Sequence, residues 1–284
     1  MAFLSRGYRI ALFDLDGTLL TTERKIRAEN ASALRRLVDA GVHVAICTGR
    51  SPRSAKQYIE LLELVDGKTP HVHFNGAMVR EGGGRMVHER TLAPDVALRA
   101  LTASDGRILH ANVYVGDEIC IERASATSRE SEVKDGVTHV LLEDLRARIR
   151  SGAAPVTKIM LIAEAASIPR LTSVIADAVA DGAALVNSEP AYLEVLPPSC
   201  SKKTAAEVLA ADLGLTLADV MFFGDNLNDL DLLLACGCGV AMANAHPDVL
   251  ALISRQIGDN DSDAIARFLD QFDVDTGALV PRTA

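Results

Sequence analysis

A doubly wound α/β fold, with a mainly parallel sheet and a second, inserted α+β module, is the architecture this sequence predicts. Three observations carry it. Short apolar runs alternate with helical patterns towards both ends of the chain, as in strands and helices wound into a parallel sheet. The middle of the chain changes texture to hairpin-like turns and strands that follow one another directly. Aromatic residues make up only 4% of 284 residues, with no Trp, so Ala, Val and Leu must fill the interior; this suits helices packed on a parallel sheet better than an aromatic-rich sandwich.

Taken in order, Tyr8 to Phe13 and Val42 to Cys47 read as buried strands around a helix from Ala28 to Ala40, one βαβ unit. Gly41 stands where a C-terminal glycine belongs, and Ser51-Pro52 supplies the N-cap and first-turn proline of the next helix. Phe74 closes a third short strand. Glu81 to Arg85 reads as a hairpin turn and Pro94 opens a helix to about Ser104, with strands at Arg107 to Val115 and Glu118 to Glu122. The polar stretch Ala124 to Gly136 reads as an exposed loop. Val156 to Ile162, a helix after Pro169, and Ala183 to Asn187 form a further strand-helix-strand pattern. After Tyr192 to Leu196 the first texture returns: a helix from Lys202 to Leu213, a strand at Val220 to Phe223, a helix after Asn226, a strand at Gly239 to Met242, and helices to about Phe272. The domain expectation is a core of residues 1–79 and 191–284 with a separate module at 80–190. The tail after Asp273 is expected to be loosely held.

A formal charge of −9 opposes nucleic acid or an anionic membrane as partner, so an anionic substrate would need local positive charge. Five Cys residues (47, 120, 200, 236 and 238) form no disulfide framework, and Cys236-Gly237-Cys238 lacks the second pair that a zinc site needs. His71 and His73 share one face of a short strand, without a third ligand nearby, and read as packing residues. No signal peptide and no segment of membrane-spanning length is recognised, which makes the cytoplasm the expected compartment.

Four constellations carry chemistry. Asp14-Leu15-Asp16-Gly17-Thr18 stands where a buried strand runs out, and residues two apart in an extended segment point the same way, so both carboxylates reach one site. Carboxylates so close repel; a divalent cation relieves the repulsion, or one of the two is held protonated. A solvated turn is the bland alternative, Asp and Gly being common turn residues. Thr48-Gly49-Arg50, also at a strand end, offers a hydroxyl and free N–H groups for a phosphate, although it would serve equally as a helix-opening turn. Ser201-Lys202-Lys203 puts cations at a helix start, where the helix dipole disfavours them unless an anion lies nearby. Gly224-Asp225-Asn226-Leu227-Asn228-Asp229 gathers hard oxygen ligands of the kind magnesium takes, though Asp225 or Asn226 could simply cap a helix. All four fall at the carboxyl edge of the expected sheet, where doubly wound folds place ligands.

In that order, and with Phe74-Asn75-Gly76-Ala77 and Met242-x-Asn244-Ala245 added, these motifs resemble those of the Cof-type branch of haloacid dehalogenase-like hydrolases over about residues 8–270. The resemblance implies a Rossmann-like core with an α/β cap of the C2B type, and a magnesium-dependent phosphatase. It implies that Asp14 attacks phosphorus to give an aspartyl-phosphate, and that Asp16 protonates the leaving oxygen and later activates water. Thr48 and Lys202 would hold the phosphoryl group, with Gly49, Arg50, Asn75 and Asn228 also on the substrate side. The magnesium set would be Asp14, Asp16 through its carbonyl, Asp225 and Asp229, the last orienting the shell together with Asn228. Two departures are Lys203, where glycine is usual, and Asp263-Ala264-Ile265-Ala266, where D-G-V-A is usual. The expected substrate is a small phosphorylated metabolite such as a sugar phosphate. A phosphosugar mutase and a silent phosphometabolite-binding regulator are the alternatives, and neither the substrate nor the oligomeric state is legible.

Overall fold

The computed structural model describes residues 7–64, 68–273 and 278–279. They form two compact units: one of residues up to 48, 57–88 and from 201 onward, the other of 49–56 and 89–200.

The first unit is built on a five-stranded sheet in the order Gln256–Ile257, Cys238–Met242, Val220–Gly224, Ile10–Phe13, His43–Ile46. Every pairing in it is parallel. Its central strands Ile10–Phe13 and Val220–Gly224 are continuous apolar runs, buried at every position; on one face Ile10, Leu12, Val220 and Phe222 are enclosed with Ala205, Leu209 and Leu232 of the helices Lys202–Asp212 and Leu227–Ala235. The chain runs outwards from the central strand in both directions, so the order reverses at Ile10–Phe13. Doubly wound sheets bind ligands at such a switch point, outside the carboxyl ends of the strands. Pro70–His73 extends the sheet through a parallel bridge between Cys47 and Val72 and starts a hairpin ladder with Met78–Glu81 and Met86–Glu89. The Gly82-Gly83-Gly84 run lies in the turn of that hairpin, between Met78–Glu81 and Met86–Glu89.

The second unit is a six-stranded sheet ordered Ala184–Glu189, Tyr192–Leu196, Val156–Ile162, His110–Val115, Glu118–Ile121, Val140–Leu141. It is antiparallel apart from the last pair. Helices Pro94–Ser104, Leu145–Ser151 and Ile168–Val179 bury one face, packing Ala97, Leu101, Ile149 and Ile175 on Val113, Ile159, Leu161 and Val195. By alternation His110, Asn112, Tyr114, Lys158 and Glu194 belong to the other face.

The expectation of an exposed loop at Ala124 to Gly136 is wrong. Ala126–Asp135 is a helix with a Ser125/Ser128 capping box and Gly136 in the left-handed region at its C-terminus. It was illegible because its inner face is polar: Ser128 and Ser131, three apart, are the buried residues, and the Asn112 amide donates to Ser131 Oγ at 2.7 Å. Apolar periodicity has nothing to detect in such a helix. Of the tail after Asp273, Ala278–Leu279 pairs with Phe272–Asp273; the rest of that expectation, like the first six residues, lies outside the described residues. Among the described residues no helix is long and apolar enough to cross a membrane.

Candidate active site

Parallel register fixes which strand ends meet. Phe13 is the register partner of both Phe223 and Ile46, the Asp14 N–H donates to Phe223 O at 3.0 Å, and the Cys47 N–H donates to Phe13 O at 2.8 Å. Asp14, Thr48 and Asp225 therefore leave three adjacent strands at the same edge. Beneath them the Phe13 and Phe223 rings stack 4.7 Å apart, giving the edge an apolar floor.

Lys202 is the charge at the centre. Ser201 caps its helix through a capping box with Thr204, which leaves Lys202 at the first helical position with its side chain wholly buried. Its Nζ lies 2.8 Å from Asp14 Oδ1 and 2.6 Å from Asp229 Oδ1. Burial opposes the ammonium, but Asp14 and Asp229 more than offset this and hold its pKa above the ordinary lysine value. The unfavourable dipole position noted in the sequence is thus answered by two anions. Lys203 points away, towards Glu207, so this departure from the usual glycine does not alter the cluster.

Asp229 is fully enclosed. Its Oδ2 accepts the N–H groups of Asp225 and Asn226 at 3.0 Å each, capping the helix Leu227–Ala235 and fixing the turn that carries Asp225. Thr18 Oγ1 donates to Asp225 Oδ1 at 2.7 Å, tying the first motif to the fourth. Gly17 has φ +79°, and a Cβ there would lie 2.4 Å from Asp225 Oδ2, so both conformation and space demand glycine. Asn244 Nδ2 donates to Gly17 O at 2.8 Å, which gives the Met242-x-Asn244-Ala245 motif a role in holding this turn.

Asp14, Asp225 and Asp229 offer oxygens that all lie within 4.8 Å of one another. Burial, then repulsion from Asp229 and Asp225, pushes the Asp14 carboxyl well above its ordinary value against the pull of Lys202. Burial and Asp229 push Asp225 up to about 7. One ammonium does not neutralise three carboxylates, and hard oxygens so disposed suit a small divalent cation. Asp16 is exposed, two residues beyond Asp14.

Thr48 is buried, its N–H bonded to Val72 O and its carbonyl to the Asn75 N–H. Phe74 and Asn75 both adopt left-handed φ, near +52° and +53°, in a single 3₁₀ turn. A Cβ on Gly76 would meet Ser201 O at 2.2 Å, so this turn abuts the start of the Lys202 helix. Asn75 Oδ1 accepts from Asn228 Nδ2 at 2.9 Å, linking the Phe74-Asn75-Gly76-Ala77 motif to the fourth constellation. Gly49 and Arg50 are placed differently: the Arg50 guanidinium donates to Ser54 Oγ at 3.2 Å, and Gly49 O accepts from Lys158 at 2.9 Å. Sequence reasoning assigned no role to Thr18, Asn244 or Lys158. For Lys158 the available signal was a charge inside an otherwise apolar strand.

The cysteines are consistent with packing: Cys47, Cys120, Cys200 and Cys238 are buried free thiols and Cys236 is half-buried. His71 Nδ1 accepts the Ile46 N–H at 3.1 Å, also a packing role.

The structure is a doubly wound sheet with an acidic cluster and a buried lysine at the strand ends beside its switch point. The chain belongs to the haloacid dehalogenase-like hydrolase family, whose sequence model matches residues 11–269. It is 32% identical over 263 residues to the HMP-PP phosphatase of Enterobacter sp. (strain 638), covering 92% of this chain and 94% of that protein. It is 30% identical over 279 residues to the 5-amino-6-(5-phospho-D-ribitylamino)uracil phosphatase of Bacillus subtilis, covering 94% and 98%. A haloacid dehalogenase-like hydrolase from Bacteroides thetaiotaomicron has the same fold, with a TM-score of 0.84 at 24% identity over 93% of this chain and 98% of that one. The protein is a phosphoric monoester hydrolase.

Proposed function

We propose that this enzyme cleaves a small phosphorylated metabolite, a sugar phosphate or similar monoester, through a phosphoryl-enzyme formed on Asp14. The observation that carries the reading is the 2.8 Å contact between Asp14 Oδ1 and the buried Lys202 ammonium at the switch point of the sheet. The carboxylate oxygen attacks phosphorus as the ester P–O bond breaks, and Asp16 gives its proton to the departing oxygen. A water molecule then attacks the aspartyl-phosphate, Asp16 takes its proton, and orthophosphate leaves with Asp14 restored. Lys202 and Thr48 hold the phosphoryl oxygens; charge neutralisation and positioning are most of what this reaction asks of a protein.

Magnesium is the proposed cofactor. Asp14, the Asp16 carbonyl and Asp225 would hold it, Asp229 and Asn228 would fix their orientation, and bound there it would neutralise charge on the phosphate oxygens. Choice among leaving groups is assigned to the unit at 89–200, and the expected compartment is the cytoplasm, where free thiols persist.

The test is orthophosphate release from a panel of phosphorylated metabolites with and without Mg²⁺. Turnover should vanish after chelation and be poorly supported by Ca²⁺, whose looser, higher coordination would misplace Asp14. Full activity in chelator would refute the metal assignment. Asp16→Asn should lose rate by roughly 10²–10⁴-fold, with a smaller change in substrate affinity. An acyl-phosphate trapped with hydroxylamine in the native enzyme and absent from Asp14→Asn would identify the nucleophile.

A further inference from the structure

The unit at 49–56 and 89–200 contains a buried ion pair to which the reaction above assigns no part. Lys158, in the strand Val156–Ile162, is 3% exposed at its side chain, and Glu194, in the neighbouring strand Tyr192–Leu196, is 4% exposed. Their charged atoms lie 3.1 Å apart. Lys158 is register partner of Tyr114, and its ammonium lies 4.6 Å from the centroid of that ring. Ser188 Oγ donates to Glu194 Oε1 at 3.0 Å, which holds the carboxylate in place behind the lysine. The third directional contact of Lys158 is the 2.9 Å hydrogen bond from Nζ to the carbonyl of Gly49.

Stability does not explain this arrangement. Two charges taken out of water in a sheet face are at best neutral against an apolar pair of similar volume. What the ion pair supplies that an apolar pair could not is a fixed cation on one particular carbonyl, belonging to the residue that follows Thr48. The bond orients the peptide between Gly49 and Arg50. It also draws electron density towards the carbonyl oxygen, so the N–H of that same peptide becomes a stronger donor. Backbone N–H groups of this kind, at the start of a helix, are what a phosphate oxygen takes.

We propose that Lys158, buttressed by Glu194, is a positioning residue for the Thr48-Gly49-Arg50 loop, setting its grip on the phosphoryl group; this rests on the reading of that loop as part of the phosphate site. The effect acts on phosphate itself and is therefore independent of the leaving group. Lys158 touches the loop and not the reacting atoms.

The decisive variant is the double substitution Lys158→Met with Glu194→Met in the full chain, which removes the ion pair without leaving a lone buried charge and should melt within a few degrees of native. Orthophosphate affinity by calorimetry in Mg²⁺ should fall by about tenfold. The kcat/KM values for an activated aryl phosphate and for the best metabolite should fall by the same factor, and Lys158→Arg should restore part of the loss. Native orthophosphate affinity in the folded double variant would overturn the inference. So would a loss confined to the metabolite, which would make the pair a leaving-group contact. Should the double variant not fold, Lys158→Gln with Glu194→Gln decides instead: it keeps two polar side chains without a lone buried charge, the residue at 158 is one bond shorter than lysine and uncharged, and the same tenfold loss is expected, native affinity overturning the proposal. Calorimetric phosphate binding needs no turnover, so an active Asp14→Asn would sink the nucleophile assignment separately from this one.

Discussion

The two units place their polar residues in opposite ways. In the first, the strands Ile10–Phe13, Val220–Gly224 and Cys238–Met242 are apolar from end to end, and polar groups are concentrated where strands stop: Asp14 after Phe13, Thr48 after Cys47, Asp225 after Gly224. In the second, polar side chains sit within the strands, so that His110, Asn112, Tyr114, Lys158 and Glu194 make one sheet face polar. A sheet covered on both faces can tolerate charge only at its edge, whereas an antiparallel sheet with one face on the core can present chemistry across the other. The first arrangement ties function to short contiguous motifs. The second scatters it over residues far apart in sequence.

Four substitutions sharpen or break that contrast. The largest effect is expected at the strand ends, where Asp14→Asn should leave a folded protein with kcat reduced on the order of 10³-fold or more. Lys202→Met should combine such a loss with a stability penalty of about 3–5 kcal/mol by urea unfolding, since it strands Asp14 and Asp229 as buried carboxylates. Near-native stability of Lys202→Met would mean that the acidic cluster does not depend on its ammonium.

An intermediate effect should follow pH in the first unit. Burial pushes the His71 imidazole down to about 4, below its ordinary 6.5, and in the folded protein its Nδ1 accepts the Ile46 N–H. The unfolded chain therefore binds the extra proton first. The stabilisation is complete above about pH 6.5 and is lost as pH falls towards 4, by up to about 3 kcal/mol. Urea midpoints measured across that window should decline with acid, and His71→Asn should flatten the part of the slope that belongs to this residue. An unchanged slope in that variant would assign the acid sensitivity elsewhere.

The smallest effect belongs to the polar face of the second unit. Ser131→Ala removes the acceptor of the buried Asn112 amide and should cost about 1–2 kcal/mol without changing hydrolysis of an aryl phosphate. A loss of aryl phosphatase activity as large as that of Asp16→Asn would erase the distinction between the two units.

Asp14, Asp16, Thr48, Lys202 and Asp225 were legible because each stands next to a break in periodicity, and a break is visible in a linear string. The amphipathic helices and apolar strands were legible for the same reason. The helix Ala126–Asp135 was not, since its buried face is made of serines whose partner, Asn112, lies in another element. Residue types also left the partners of Asp229 hidden: its oxygens accept two backbone N–H groups and the Lys202 ammonium.

By itself the sequence determined the winding of the core, the order of the motifs along it and the charges that had to be compensated, because these follow from periodicity and from residue types at strand ends. Only the tertiary structure decided which charge compensates which. The Lys202 ammonium meets Asp14 from 188 positions away in the chain, and Lys158 finds Gly49 O across 109 residues. Hydrogen bonds and ion pairs depend on distance and angle to a few tenths of an ångström, and those are set by packing, on which residue spacing along the chain is silent.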